Sequence, residues 1–186
     1  MGTMYDRTSL TLAGVDIETT GLRWNKDHRL IQIAVVTDKV SYFYPVKPEG
    51  PMLVDPEAMA VNKITLSELD NYTRQSAVDM MLSNSLMNCG YGYESITPVG
   101  WNVGSFDLGF IQKELPKTSE YFSRRVIDLT SLGRLYELRT GKSYRDLKTE
   151  MHAKAVRVLG RDERHNALFD AQSALLALDY FKELVF

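Results

Sequence analysis

The stretch Gly14-Val-Asp-Ile-Glu-Thr-Thr-Gly-Leu22 places two carboxylates inside an otherwise apolar segment. Carboxylates are rarely buried without a partner, so their presence there needs an explanation. The residues around them predict a β-strand that ends at a Thr-Thr-Gly turn. Because side chains alternate along a strand, Asp16 and Glu18 leave one face while Val15 and Ile17 leave the other. The acidic pair therefore lies at a strand end, where α/β proteins place ligands.

A third carboxylate, Asp107, ends the segment Gly100-Trp-Asn-Val-Gly-Ser-Phe-Asp107 and lies near the start of a predicted helix. A helix N-terminus favours negative charge, so Asp107 taken alone could simply stabilise a helix start. Asn102 and Ser105 could likewise be turn and cap residues. Because Asp107 also follows a predicted strand, it is a candidate to join Asp16 and Glu18 in one site.

The segment His165-Asn-Ala-Leu-Phe-Asp170 combines a histidine with a fourth carboxylate. Five residues of α-helix turn through about 500°, which would leave the two side chains about 140° apart. They cannot share a face if both are helical, so we expect His165 in a loop before a helix that Asn166 caps. Asp170 would then project from the helix, and His165 could act as a general base. A surface histidine before a helix cap is the alternative for this segment alone.

Together these segments supply four carboxylates and one imidazole. Hard oxygen ligands suit Mg²⁺ or Mn²⁺. Two such ions, with a base, suit the hydrolysis of phosphodiester bonds, so the sequence predicts a two-metal nuclease. His28 and His152 stand in no comparable context, and we expect both at the surface.

Length and composition favour one domain over residues 1–186, which are 44% hydrophobic and 25% charged. The single cysteine, Cys89, cannot form an internal disulfide, which suits a reducing cytoplasm. No apolar run approaches the ~20 residues that span a bilayer, and the first residues lack the pattern of a signal peptide. We therefore expect a cytoplasmic location and no membrane partner.

The net charge of −2 argues against coating long nucleic acids by charge alone, but not against gripping a few nucleotides at an end. The charge is uneven, since residues 134–164 hold nine Lys or Arg against five Asp or Glu, net +4, which leaves −6 elsewhere. This basic segment is either a solvated helix face or a strip that steers a phosphate backbone toward the acidic residues.

Apolar periodicity and turn residues predict an α/β fold, a mixed sheet with helices on its faces. The five predicted strands are 10–18, 30–37, 40–46, 97–101 and 125–128. The predicted helices are 57–61, 65–71, 73–88, 106–115, 129–139, 143–159 and 166–184. The proline-rich connection between residues 45 and 56 is expected to lie over the active face.

The three acidic segments together resemble the DEDDh 3′→5′ exonucleases, the DnaQ-like group with a ribonuclease H-like fold. Residues 16–22 resemble the first exonuclease motif at nearly every position, residues 102–107 the second and residues 165–171 the third. Their order and spacing also match. The resemblance implies a ribonuclease H-like five-stranded sheet flanked by helices. It also implies an enzyme that releases nucleoside 5′-monophosphates from single-stranded 3′ ends, with two Mg²⁺ or Mn²⁺ ions per site.

The resemblance further implies a role for each matching residue. The metal ligands would be Asp16, Glu18, Asp107 and Asp170, and the general base would be His165. Contacts to the 3′ end would come from Thr19, Thr20 and Leu22, and the wall of the pocket from Asn102 and Phe106. Among these, Leu22 matches the apolar residue that wedges against the terminal base.

Three positions bear on how far the resemblance extends. Trp101 stands where many members have histidine, so this wall could stack on a base, with a buried core tryptophan as the alternative. Lys63 replaces a common glycine. Asp128 is expected to cap a helix rather than bind a metal.

Two classes of function fit these features: an active, freestanding exonuclease, and a catalytically silent interaction module on the same fold. Retention of all four carboxylates and the histidine favours the enzyme. We expect DNA as its substrate, with an exoribonuclease or oligoribonuclease as the alternative. The choice rests on contacts to the 2′-hydroxyl, which no motif identifies. The sequence also identifies no polymerase or replication partner.

Overall fold

The computed structural model describes residues 10–185, which form a central six-stranded sheet with helices on both faces. The strands are β1 Thr11–Thr19, β2 Leu30–Val36, β3 Ser41–Lys47, β4 Thr73–Arg74, β5 Ile96–Gly100 and β6 Ile127–Asp128. They lie in the order β4-β3-β2-β1-β5-β6. Strands β1, β2 and β3 pair antiparallel, whereas β5 lies parallel to β1 and to β6, and β4 parallel to β3. The predicted mixed α/β sheet is confirmed.

Every predicted helix is present, with ends within two residues of those expected. The helices are α1 Pro56–Asn62, α2 Leu66–Leu69, α3 Gln75–Asn88, α4 Asp107–Glu114, α5 Pro116–Ser119, α6 Leu129–Thr140, α7 Tyr144–Leu159 and α8 Ala167–Val185. Helix α5 is additional. Pro116, expected only to stop α4, also begins α5, because proline has no N–H to lose at the first helical position.

The sheet has six strands rather than the five expected. The extra strand, β4, is only two residues long and pairs with Val46 and Lys47 of β3. Two residues carry no alternation that periodicity can detect, so the sequence pattern assigns them to the helix that follows. Strand β6 is likewise shorter than the predicted 125–128.

Strand β1 presents its two faces to different helices. Val15 and Ile17 are buried in a cluster to which α3 and α4 contribute, for example through Val78 and Phe110. The opposite face of β1, which carries Gly14, packs against α8. Asp16 and Glu18 therefore leave the sheet on the α8 side, as the alternation predicts.

The contact between β1 and α8 requires a glycine. A Cβ atom on Gly14 would collide with the backbone carbonyl oxygen of Ala171 and would touch the side chain of Leu175. Backbone cannot move aside as a flexible side chain can. Because Ala171 directly follows Asp170, this close approach sets the depth at which the acidic residues of β1 and α8 meet.

A buried ion pair holds the proline-rich connection in place. The Arg29 Nε atom donates to Glu114 Oε1 at 2.9 Å, and both side chains are almost fully buried. The same guanidinium donates to the carbonyl oxygen of Pro51 at 3.0 Å, and the Thr20 hydroxyl donates to that of Leu53 at 2.7 Å. The connection is thereby fastened to the turn that follows β1.

We predict that Gly14→Ala destabilises the protein by about 1–3 kcal/mol, the usual range for overpacking a well-filled core. Denaturant unfolding followed by circular dichroism measures the change. Gly92→Ala is the matched control, because an added Cβ at Gly92 meets no atom within 4 Å and should change stability by less than about 0.5 kcal/mol. Equal stability of the two variants would contradict the role given to Gly14.

Candidate active site

Asp16 and Glu18 lie at the carboxyl end of β1, opposite Ala34 and Gln32 of β2. Both are half-buried, and both leave the sheet on the α8 side. The register with β2 shifts after Glu18, so the regular strand stops where the Thr-Thr-Gly turn begins. Thr19 still pairs with Leu30 beyond this irregularity, which lies beside the carboxylates, as bulges near functional sites often do.

Asp107 is the first residue of α4 and is only 3% exposed. Strand β5, which lies parallel to β1, leads to it, so the carboxyl ends of the two strands meet at one edge of the sheet. Burial raises the pKa of the Asp107 carboxyl well above its ordinary value, and backbone N–H groups of Asp107 and Ile17 partly offset this.

His165 and Asp170 adopt the arrangement that the sequence geometry predicts. Asn166 caps α8 by accepting from the N–H groups of Leu168 and Phe169 at 3.1 and 3.3 Å. His165 lies before the cap in the left-handed region, at φ 65°. Its backbone N–H donates to Asp170 Oδ2 at 2.8 Å. The histidine is thus outside the helix yet held beside its carboxylate.

The three segments converge at one point. A ligand atom from each of Glu18, His165 and Asp170 lies within 4.8 Å of the others. Asp16 and Asp107 join them in the wall of a cavity of about 360 Å³, which we call the terminal cavity. All five residues that the sequence assigned to catalysis therefore line one cleft.

Crowding of like charges shapes the electrostatics of this cleft. Burial raises the pKa of Asp16 well above its ordinary value, and the carboxylates of Asp107, Asp170 and Glu18 raise it further. Burial and the Asp170 carboxylate raise the pKa of Glu18 to about 8. Without cations, these shifts favour the protonated forms of the carboxyl groups.

The donor set fits divalent metal ions. Carboxylate oxygens beside a single imidazole are the ligands that Mg²⁺ and Mn²⁺ accept, and the mutual repulsion of the carboxylates is what a bound cation would relieve. Burial lowers the pKa of His165, against the opposing effect of Asp170. A neutral imidazole is the form that can accept a proton.

The residues expected to contact the terminal nucleotide divide into two groups. Thr19, Leu22 and Phe106 line the terminal cavity, and Leu22 is 69% exposed there. The structure does not bring Thr20 or Asn102 to this cavity. The Thr20 hydroxyl accepts from the Arg29 backbone N–H at 2.8 Å and donates to the proline-rich connection. Both of these hydrogen bonds are made within the protein.

Asn102 serves the turn after β5 instead. It adopts a left-handed conformation at φ 63°, which asparagine tolerates better than most residues. Its Oδ1 accepts from the Ser105 hydroxyl at 2.6 Å, and its backbone N–H donates to Asp128 Oδ1 at 3.2 Å. Asp128 also accepts from the Thr130 N–H at 2.8 Å, which confirms the predicted helix cap.

Trp101 lines the terminal cavity and also a second cavity of about 600 Å³, which we call the basic cavity. Tyr144 lies beside it, with ring centroids 6.1 Å apart, and Lys148 Nζ lies 5.0 Å from the centre of the Trp101 ring. Arg145 and Arg164 complete the cationic wall. Asp16, His165 and Asp170 line both cavities.

The sequence missed two features of this basic cavity. His152, expected at the surface, is half-buried in its wall and lies 3.2 Å from Asp162 on the loop that carries His165. The basic segment is not one continuous strip either, since Arg157 and Arg161 line neither cavity in the described structure. Helical periodicity shows which residues of α7 share a face with Lys148. It could have placed Lys148 beside Asp16 only once the packing of α7 against α8 was known.

The backbone conformation of Lys63 explains why related exonucleases often have glycine at this position. Lys63 follows α1 in the left-handed region at φ 60°, and its N–H donates to the carbonyl oxygen of Met59. Asn62, just before it, donates to the carbonyl oxygen of Thr19 at 3.1 Å. The end of α1 is thereby tied to the strand that carries Asp16 and Glu18.

The family model described as Exonuclease, RNase_T, matches residues 14–178, which include all three acidic segments. The chain belongs to this exonuclease family. Membership confirms the predicted enzyme class, a 3′→5′ exonuclease that hydrolyses phosphodiester bonds and depends on divalent metal ions. The enzyme class is also the one that the retained carboxylates and histidine favour over a silent module.

The curated relatives are similar to this chain over nearly its whole length. The oligoribonuclease of Vibrio campbellii is 27% identical over 188 residues, and that of Shewanella loihica is 24% identical over 192 residues. Each alignment covers 94% of this chain and 95% of the relative.

Solved structures confirm the ribonuclease H-like exonuclease fold. The nuclease domain of 3′hExo, a DEDDh family member bound to rAMP, superposes with a TM-score of 0.64 at 16% identity, covering 96% of this chain and 94% of that one. Cell-death related nuclease 4 gives 0.66 at 14%, covering 95% and 64%. Escherichia coli exonuclease I in complex with a dT13 oligonucleotide gives 0.65 at 17%, covering 91% and 40%. This chain thus spans less than two thirds of the last two.

Within residues 10–185, no helix combines the length and the apolar character needed to cross a membrane.

We predict that divalent metal stabilises the protein more at pH 8 than at pH 6. The folded-state pKa of Glu18 is raised from 4.5 to about 8, so the contribution of Glu18 to metal-free stability is fullest below pH 4.5 and is lost as the pH rises through 8. Bound cations replace the lost protons and oppose this loss. Thermal unfolding in EDTA and in excess Mg²⁺ at both pH values measures the effect.

Glu18→Gln is the control for this pH dependence. It removes the titrating group, so the metal-free protein should lose less stability between pH 6 and 8 than the wild type does. A metal-induced shift in Tm that is the same at both pH values would contradict the assignment.

Proposed function

We propose that this protein removes nucleoside 5′-monophosphates from single-stranded 3′ ends by two-metal-ion hydrolysis. The observation that carries the proposal is the convergence of Asp16, Glu18, Asp107, Asp170 and His165 on one cleft at the carboxyl ends of β1 and β5. Membership of the exonuclease family supports the same reaction.

The four carboxylates, which line one cavity, would hold the metal ions. When bound, two ions such as Mg²⁺ or Mn²⁺ would supply the positive charge that activates the attacking water and stabilises the leaving 3′ oxygen. His165 would take the proton from the water, since its lowered pKa favours the neutral imidazole and its backbone N–H anchors it to Asp170.

The terminal cavity would hold the last nucleoside. Leu22 and Phe106 supply apolar surface for the base, while the backbone around Thr19 closes the end of the cavity. The fixed connection above the turn after β1 limits how far the strand can enter. An end-specific enzyme follows, because only a strand terminus fits.

The preferred sugar defines two candidate substrates. We expected DNA at the sequence level, although no motif identifies contacts to the 2′-hydroxyl. The names of the curated relatives favour the alternative, an oligoribonuclease. The solved relatives include one bound to DNA and one bound to rAMP, so they do not separate the two.

Two broader features are part of this proposal. The family match over residues 14–178 supports a single exonuclease domain across residues 1–186. The cytoplasmic location stays a prediction, supported by the lone, half-buried Cys89. A polymerase partner is not proposed.

Polarity and substrate are tested on matched 5′-labelled DNA and RNA single strands. With Mg²⁺ we expect a descending ladder of products from the preferred strand, no cleavage of a circular single strand, and no activity in excess EDTA. Faster turnover of RNA would establish the oligoribonuclease alternative. Cleavage of the circle would mean an endonuclease.

Loss of the base should differ from loss of a ligand. We predict that His165→Ala lowers kcat by about 10²–10⁴-fold, the usual contribution of a general base, while metal binding measured by calorimetry stays largely intact. Asp16→Asn should abolish both. Because His165 also lies within ligand distance of Glu18 and Asp170, a collapse of metal affinity in His165→Ala would show that it is a ligand instead.

A further inference from the structure

The two cavities on either side of the catalytic carboxylates differ in charge. Arg145, Lys148 and Arg164 line the basic cavity, whereas no Lys or Arg among the described residues lines the terminal cavity. The terminal cavity instead carries Asp55 and Glu57 in addition to the catalytic acids. A chain of phosphates is therefore accepted on one side only.

This asymmetry gives the substrate a direction. The last nucleoside contributes no phosphate beyond the scissile one, so it suits the cavity without cations. The second nucleotide carries a further phosphodiester on its 5′ side, so it suits the basic cavity, which three cationic side chains line. Since both cavities meet at Asp16, His165 and Asp170, one phosphate at that junction has a nucleoside on each side.

We propose that Trp101 and Lys148 form the subsite for the second nucleotide from the 3′ end, with Trp101 stacking on its base and Lys148 binding its 5′ phosphate. Trp101 lies at the junction, because it lines both cavities. Lys148 Nζ is 5.0 Å from the ring of Trp101, which places a cation and an aromatic face within reach of one nucleotide. The inference rests on the proposed exonuclease function.

The surroundings of Trp101 support a binding role over a core role. Its ring is half-buried rather than enclosed, and the Tyr144 ring packs beside it with an angle of 54° between the two ring planes. Lys148 is an exposed residue of α7 with no carboxylate partner within salt-bridge distance among the described residues. An ammonium group held over an open ring in this way is available to an anionic ligand.

Lys154 offers a matched control on the same helix. Its Nζ lies 4.7 Å from the centre of the Tyr180 ring, so it makes the same kind of cation–π contact. It pairs with Glu183 at 3.3 Å and lines neither cavity. Its loss removes a similar packing contact without touching the proposed subsite.

The test is a pair of double-mutant cycles on the rate constant for release of the first nucleotide. One cycle combines Trp101→Ala with an oligonucleotide whose second residue is abasic. The other combines Lys148→Met with a strand whose phosphate 5′ of the second residue is an uncharged methylphosphonate. In each cycle the terminal nucleotide and scissile phosphate stay unchanged.

We expect each single change to lower kcat/KM about tenfold, within the range that base–aromatic stacking contributes. The enzyme change and the matching substrate change together should cost no more than either alone. The Trp101→Phe variant should recover most of the kcat/KM that Trp101→Ala loses on the normal strand. The Lys154→Ala variant should keep a kcat/KM within twofold of the wild-type value on every strand. Thermal unfolding confirms that each variant folds.

Additive losses in either cycle would overturn the proposal, because each residue would then act elsewhere. An unchanged rate for the exposed Lys148→Met variant would do so as well, even if Trp101→Ala failed to fold. Failure of the proposed function looks different, since the wild type would then release no 5′-monophosphate from any of these strands.

Discussion

Strand β1 touches helix α8 backbone to backbone at Gly14 and Ala171, where no side chain larger than hydrogen fits between them. This contact fixes the separation of two elements that each carry part of the active site. Asp16 lies two residues after Gly14 on β1, and Asp170 lies directly before Ala171 on α8. A wider gap would separate the carboxylates beyond the reach of shared metal ions. The catalytic geometry is therefore a consequence of core packing.

The same closeness makes the site electrostatically unfavourable without cations. Burial raises the pKa values of Asp16, Glu18, Asp107 and Asp170, and neighbouring carboxylates raise those of the first three further. The folded chain therefore holds acidic groups that would be more readily ionised in water. Binding of divalent ions converts this repulsion into attraction. Stability and catalysis are thus linked through one cluster, and the buried Arg29–Glu114 pair keeps the surrounding connection from relaxing outward.

Local sequence patterns were enough to predict most of the strands and helices and the positions of the catalytic residues on them. Alternation placed Asp16 and Glu18 on one face of a strand, and helical geometry placed His165 outside α8 with Asn166 as its cap. These predictions depend on residues close in sequence. Strand β4 was not predicted because its pairing partner lies in β3. The bonds of the Thr20 hydroxyl to Arg29 and Leu53 were not predicted either, because the motif does not encode the positions of those residues.

By itself, the sequence determined the chemistry: which side chains carry charge, which strands and helices hold them, and in what order they follow. Only the tertiary structure decided what those side chains face. The roles of Trp101 and Lys148 depend on α7 crossing beside the end of β5, a contact between residues 47 positions apart that no local spacing predicts. Long-range packing sets such contacts, because it depends on the shape and depth of the whole core rather than on neighbouring residues.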